Sequence, residues 1–404
     1  MNIILFDDEF RVNLLPLTYT RPCGNLRVGI FTIAQKWENY LSCNVSYKTK
    51  EYLSRKYKAE IDNHNIFING RYLPSDGFCE VISNLRVNEI IFDKKTVVAF
   101  KIDKENATNF IKDNFSLAEL NVLKTDFECS HINFCYDIFR LNGDEIEKDF
   151  KLIVKKHKTA EISRTNQLIS EQNVFIEEGA KVEFSILNAA KGPIYIGKNA
   201  EVLEGSLIRG PFALCENSEL KMGAKIYGPT TIGPHSKVGG EVNNCVFQGF
   251  SNKAHDGFLG NSVIGEWCNI GADSNTSNLK NNYAEVKLWN YTAQKYLKTG
   301  LQFCGTIMGD HSKCGINTMF NTGTVAGVSA NIFGTGFPRN FIPDFSWGGS
   351  SGFETYNLEK VFEVAKIVME RRGVEFNRDE QDILTYIFYE TSKFRVWENA
   401  VKKI

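Results

Sequence analysis

The residues best suited to chemistry lie in one stretch, Lys253-Ala254-His255-Asp256-Gly257-Phe258-Leu259-Gly260, followed by Ile264-Gly265, Asn269-Ile270-Gly271-Ala272 and Asn278. Histidine is the side chain whose ordinary pKa lies nearest neutrality, so His255 is suited to take and return a proton. Asn269 and Asn278 carry amides that can donate to a developing oxyanion or position a substrate. Asp256 can orient an imidazole, and beside glycine it equally reads as a turn residue. A second charged group opens the chain. Asp7, Asp8 and Glu9 precede Arg11, Pro16-Leu17-Thr18 and Arg21, and Arg71 follows Asn69-Gly70.

The scaffold for these groups can be read from composition. The 404 residues carry 47 basic and 48 acidic side chains and are 43% hydrophobic. Such a chain is not disordered, and its charge gives no reason to expect nucleic acid. None of the cysteines forms a CxxC pair, and no apolar run approaches the ~18 residues of a membrane span. With no signal peptide, the expectation is a cytoplasmic protein with reduced thiols and no membrane partner. Glycine is unevenly spread: five of 32 lie in residues 1–173, 26 in 174–352 and one thereafter. Three domains are expected, 1–155, 156–352 and 353–404.

In the middle segment aliphatic residues recur every six positions, from Ile196, Val202 and Ile208 through Leu214, Leu220, Ile226 and Ile232 to Val238. A second phase reads Phe258, Ile264, Ile270, and a third Met308, Cys314, Phe320, Ala326, Ile332. A period of six fits neither helix nor strand; it is the hexapeptide repeat of a parallel β-helix, each aliphatic pointing inward. Small residues such as Ser206 and Ser218 turn the corners, and glycines and asparagines supply the permissive backbone angles. The phase changes imply interruptions near 239–257 and 276–307, where binding residues often lie. His235 and His311 read as turn residues, and Cys314 as a small core side chain. After Gly352 the period becomes 3.6. One helix is capped by Asn357 and ends at Gly373, and a second starts at Asn377, together expected to close the solenoid or cover part of its neighbour.

The stretch from His255 to Asn278 resembles the acetyltransferase domain of GlmU-type bifunctional enzymes, which join glucosamine-1-phosphate N-acetyltransferase to N-acetylglucosamine-1-phosphate uridylyltransferase. That resemblance implies a left-handed β-helix, acetyl-CoA as cosubstrate, and a homotrimer with sites between adjacent prisms. It gives His255, Asn269 and Asn278 catalytic roles and Lys253 and Phe258 substrate contacts. Phe258 stands where that family has a tyrosine. The family's phosphate-binding lysine and arginine fall near Asn243 and Leu214 to Glu216, leaving Arg209, Lys221 or Lys253 to substitute.

Pro16-Leu17-Thr18 after the strand-like Asn2–Phe6 resembles the signature loop of sugar-1-phosphate nucleotidylyltransferases, including a family that shares its chain with a hexapeptide domain. The resemblance implies an α/β domain in which Asp7 or Asp8 holds Mg²⁺ while Arg11, Arg21 and Arg71, with Thr18, meet the phosphates of UTP. The family's glycine-rich loop is replaced here by Phe6-Asp7-Asp8-Glu9-Phe10. The combined expectation is acetyl transfer to glucosamine-1-phosphate or a related amino-sugar phosphate, then uridylyl transfer, supplying a nucleotide sugar for envelope polysaccharide. Two alternatives stay open: acetyl transfer beside a non-catalytic N-terminal domain, or a non-catalytic sugar-nucleotide-binding assembly. A zinc carbonic anhydrase needs three histidines around one metal, and His235, His255 and His311 include no His-x4-His pair.

Overall fold

The computed structural model describes residues 1–125 and 127–401. Contacts divide the chain into two compact units: Met1–Leu14, Thr20–Leu26 and Phe31–Asn133 in the first, and Leu15–Tyr19, Arg27–Ile30 and the chain from Phe134 onward in the second.

The first unit is an α/β domain. Its sheet holds β1 (Asn2–Phe6), β2 (Val45–Lys48), β3 (His64–Asn69), β4 (Glu89–Asp93), β5 (Thr96–Asp103) and β6 (Asn121–Val122) in the order β2-β1-β3-β5-β4-β6. β1 is parallel to both β2 and β3. Its continuous apolar run suits a strand covered on both faces, and Ile3 and Ile4 are inaccessible. One face packs Ile4, Phe6, Phe67 and Phe100, with Phe67 stacked on Phe100 at 4.9 Å. Helices α1 (Ile33–Leu41), α2 (Glu51–Ser54), α3 (Asp76–Asn84) and α4 (Lys104–Ile111) complete the unit. Thr32 and Gln35 form a capping box on α1, and the Ser75 hydroxyl accepts from Phe78 N on α3. Because β2 and β3 flank β1 on opposite sides, the carboxyl ends of β1 and β3 form a topological switch point, the usual ligand crevice of such sheets.

The second unit is a parallel β-helix, preceded in the chain by one long helix and followed by shorter ones. Its three faces hold six, nine and ten strands. Here we call them face C (Gln167–Ile169 to Phe258–Gly260), face A (Val174–Ile176 to Phe341–Ile342) and face B (Lys181–Val182 to Gly352–Thr355). The repeat aliphatics of the first and third phases form one core column set, including Leu220, Ile232, Val238, Met308 and Ile332. Corner hydroxyls cap the coils: Ser218 Oγ donates to Gly233 O at 2.8 Å and Ser251 Oγ to Gly265 O at 2.8 Å. A long helix, α5 (Cys135–Lys156), lies on face A, and Phe150 meets Phe175 edge-on. The domain boundary expected at 155 thus falls at the end of a helix whose contacts belong to the solenoid.

Three expectations change. Phe258 is not the inward residue of its strand; it pairs with outward Glu241, while Leu259 pairs with Val242 and is buried. Residues 239–257 are not a loop excursion, because strands Glu241–Asn243, Val246–Gly249 and Asn252–Lys253 continue all three faces. The phase slips because Val238 pairs with Lys253 after fifteen residues, where Leu220 and Val238 pair after eighteen. The true excursion holds an antiparallel hairpin of Lys287–Asn290 and Lys295–Lys298. Finally, asparagines take the left-handed angle at the A–B corner in two early coils, Asn199 and Asn217 at φ 55°, but the next four coils use bulky residues there: His235, Phe250, Trp267 and His311 have φ of 56, 52, 61 and 62°. Stacking compensates, with Phe250 4.7 Å from His235 and 4.2 Å from Trp267.

At the C-terminal end, helices α6 (Leu358–Glu370) and α7 (Arg378–Glu390) are capped by Asn357 and Asn377, which accept from Lys360 N and Glu380 N. Their buried stripes are Val361, Ala365 and Met369, and Ile383, Leu384 and Ile387; Tyr386 is exposed.

Asp344 ties the inserted hairpin to the last coils. Its carboxylate accepts from Val328 N at 2.6 Å and from the Tyr291 hydroxyl at 3.0 Å. Burial pushes its pKa up from 3.8 to about 6. The folded state therefore holds a proton that the unfolded chain releases, so this group's stabilisation is complete below 3.8 and lost as pH rises through 6, a cost on the order of 3 kcal/mol at neutral pH. Asp344→Asn keeps the acceptor for Val328 N, turns its amide NH2 as a donor to the Tyr291 hydroxyl oxygen, and removes the charge. Thermal melts across pH should show the variant more stable than the parent by about 1–3 kcal/mol at pH 7.5, with a flatter slope between pH 4 and 6. Equal slopes would refute the assignment.

Candidate functional site

A groove of about 700 Å³ runs over the outer surface of face B, a volume suited to a small-molecule ligand. Strand register builds its floor. Lys237, Asn252, Asn269 and Lys313 pair in sequence across four coils, each one residue before an inward position. Phe250 and Trp267 of the stacked corner form one wall, and His255, Ala272 and Ile316 the other. The C-terminal end of α6 supplies Val368, Arg371 and Arg372. Arg372 donates to the Asn252 side chain at 3.0 Å, and Lys313 Nζ to His311 O at 2.9 Å. Lys237 is held by Glu219 at 2.7 Å. Four cations, two aromatic rings and no acidic lining residue favour a ligand that combines phosphate groups with a flat ring.

His255 stands where face B turns into face C. It is exposed in the short loop between strands Asn252–Lys253 and Phe258–Gly260. The loop lies close on the next coil: Gly257 has φ 115°, and a Cβ there would collide with the Ser274 carbonyl. Two bonds shape the loop, Phe258 N to Asn275 Oδ1 at 2.8 Å and Lys253 Nζ to His255 O at 2.7 Å.

The structure brings His255 and Asn269 into this groove but places Phe258 and Asn278 elsewhere. Those two meet beside Gly260, whose missing side chain leaves room for the Asn278 amide and the Phe258 ring. Asn278 Nδ2 donates to Asn261 Oδ1 at 2.8 Å. Lys253, expected at a substrate phosphate, is buried instead, because its strand position is inward; its amine binds the carbonyls of Gly239 and His255. Arg371, Arg372, Lys237, Lys313 and the Phe250–Trp267 pair were not foreseen as site residues. The local signal was an arginine pair closing a helix and polar residues preceding inward positions, neither distinctive without the fold.

At the switch point of the first unit the charged residues bind one another. Asp8 accepts from Arg71 Nε at 2.9 Å, from Arg71 NH2 at 2.5 Å and from Asn69 Nδ2 at 2.8 Å. Asp7 accepts from Cys23 N at 2.8 Å and Thr49 Oγ1 at 2.6 Å, and pairs with Arg11 at 3.2 Å. Arg71 also donates to Ile132 O and Asn133 Oδ1. With their oxygens engaged by cations and amides, these carboxylates do not fit a divalent metal, which needs several open oxygen ligands. Among the described residues no three His, Cys, Asp or Glu side chains gather as a metal site. Arg21 and Thr18 are buried, Arg21 in the first unit and Thr18 in the second.

Fold and sequence together define the class: a transferase in which a sugar-nucleotidyltransferase-type α/β domain and a hexapeptide β-helix share one chain. Residues 3–158 match the family model described as sugar nucleotidyl transferase. The chain is 25% identical over 387 residues to a bifunctional sugar-1-phosphate nucleotidylyltransferase/acetyltransferase of Sulfurisphaera tokodaii, a match covering 79% of this chain and 92% of the relative. Among solved structures, the Arabidopsis UDP-N-acetylglucosamine acyltransferase is 16% identical, with 54% of this chain and 78% of that one covered and a TM-score of 0.21. A variant of the Bacillus cereus N-acyltransferase AntD, in complex with dTDP and coenzyme A, is 14% identical, with 53% and 100% covered and a TM-score of 0.24. No helix among the described residues is long and apolar enough to cross a membrane.

Proposed function

We propose that the face B groove binds acetyl-CoA and that the chain transfers its acetyl group to glucosamine-1-phosphate or a related amino-sugar 1-phosphate. The observation that carries this reading is the junction of four cations and an aromatic wall with His255 in one groove. The cations suit the phosphates of coenzyme A and the ring faces of Phe250 and Trp267 suit its adenine. The amine lone pair attacks the thioester carbon, forming the C–N bond, and His255 takes the proton that nitrogen sheds. As the tetrahedral intermediate collapses, the C–S bond breaks with its electron pair, and the thiolate recovers the proton from His255. Asn269, on the groove floor, is the amide donor for the oxyanion. Phe258 and Asn278, on the face C side of the corner, contact the sugar.

The same chain is proposed to carry uridylyl transfer from UTP in its first unit, in line with the bifunctional relative, and to work in the cytoplasm supplying nucleotide sugar for envelope polysaccharide. A second reading, acetyl transfer beside a non-catalytic first unit, is favoured by one observation: Asp7 and Asp8 are already neutralised by Arg11 and Arg71. A homotrimer is proposed to pack through face C, whose outer side exposes Ile169, Ile186, Leu207 and Tyr227. Two assays on the purified protein separate the readings. Thiol release from acetyl-CoA with glucosamine-1-phosphate is the expected result, and its absence across amino-sugar phosphates would sink the proposal. Pyrophosphate release from UTP with N-acetylglucosamine-1-phosphate and Mg²⁺ would support the two-activity reading, and none would leave the first unit as scaffold.

A further inference from the structure

Lys253 breaks the rule of the solenoid. It occupies the inward position that Leu220, Val238, Ile270 and Cys314 hold in neighbouring coils of face B, and it is 1% exposed. Burying an ammonium is costly, and such violations concentrate at functional sites. No carboxylate pairs with it among the described residues. Its two acceptors are backbone oxygens, Gly239 O at 2.9 Å and His255 O at 2.7 Å. Gly239 ends the preceding face B coil, so the amine ties the peptide of the groove histidine to a fixed point one coil away. The charged and titratable groups around it are Asp256 and Asp273 in the adjoining turns and the thiols of Cys245 and Cys314 in the core. Burial lowers its pKa to about 8, which leaves it mostly charged at neutral pH.

We propose that Lys253 is a positioning residue of the acetyl-transfer site: its buried amine, bonded to the carbonyl of His255 and to that of Gly239 one coil away, clamps the His255 loop and holds that histidine at the groove. This rests on the function proposed above for His255. A methionine has the length and shape to occupy the core position, so Lys253→Met is expected to fold with a melting temperature at or above that of the parent. It removes both the clamp and the charge. Lys253→Gln keeps two amide donors for the two carbonyls and removes only the charge.

The experiment compares parent, Lys253→Met and Lys253→Gln by two measurements on the full chain: amide hydrogen exchange and acetyl-transfer kinetics. In Lys253→Met, exchange of the amides of residues 254–257 should accelerate at least about tenfold, and kcat should fall about 10- to 100-fold with the KM for acetyl-CoA little changed. Lys253→Gln, which restores two donors for the two carbonyls, should recover part of the slow exchange and of kcat. Unchanged exchange in Lys253→Met would overturn the clamp. Faster exchange throughout the solenoid, or faster loop exchange with kcat within twofold of the parent, would also overturn the positioning role. A parent protein that releases no thiol would instead overturn the proposed function and the catalytic role of the clamp, while exchange would still report whether the clamp exists.

Discussion

Replacing His255 by alanine is expected to lower kcat for acetyl transfer by about 10²- to 10⁴-fold, the range typical of losing a positioned general base. His255 is the one histidine at the end of the cationic groove that is both exposed and carried on a loop. His311 is buried in the stacked corner and His235 stacks on Phe250, so neither can take its place without dismantling that ladder. The side chain of His255 packs into no core, so the variant should retain the melting temperature of the parent. KM for acetyl-CoA should change little, since the groove cations are untouched, and the remaining rate should rise with pH as the amine deprotonates unaided. Stopped-time thiol release from pH 6 to 9 measures kcat, KM and the pH dependence, and a thermal melt checks the stability. A kcat within threefold of the parent would remove His255 from the mechanism and with it the acetyl-transfer assignment of the groove.

The second large effect concerns stability. Asp8→Ala is expected to destabilise the protein by about 3–5 kcal/mol, because it strands the guanidinium of Arg71, which is 1% exposed. The remaining acceptors, Ile132 O and Asn133 Oδ1, lie on NH1, so Nε and NH2 lose their bonds to the carboxylate. Phe10 and Tyr72 stack near the guanidinium and further limit water's access. Replacing both partners, Asp8→Asn with Arg71→Met, removes the stranded charge and should recover much of the loss. Urea unfolding of the parent, Asp8→Ala, Asp8→Asn, Arg71→Met and the double variant measures the loss and closes the cycle. A loss below about 1 kcal/mol in Asp8→Ala would mean that the pair opens readily. The carboxylate would then be accessible to a metal, and the two-activity reading would gain ground.

Much of the architecture was legible in the residues themselves. The six-residue period named the inward column from Ile196 to Val238, and Asn357 and Asn377 marked the starts of α6 and α7, because a repeat core and a helix cap depend on neighbours in sequence. Phe258 shows where that logic ends. It continues the period from Ile264 and Ile270, yet Leu259 takes the core place, since a corner shortened by one residue exchanges inside for outside. Lys253 shows the same limit from the other direction: a lysine beside a histidine suggests a surface phosphate site until register places it in the core.

By itself, the sequence determined which chemistries were available: a histidine with two asparagines at family spacing, an acidic loop with three arginines, and a repeat that could only be a β-helix. The tertiary structure decided which of those groups face one another. Lys237 and Lys313 share a groove floor because four coils stack in register, and Arg371 and Arg372 join them because α6 ends over that face. Asp8 and Arg71 cancel each other across 63 residues because β1 and β3 end side by side. Local rules of period, capping and turn chemistry act over a few residues. Pairing of charge and burial of a lysine are settled by neighbours that only the folded chain brings together.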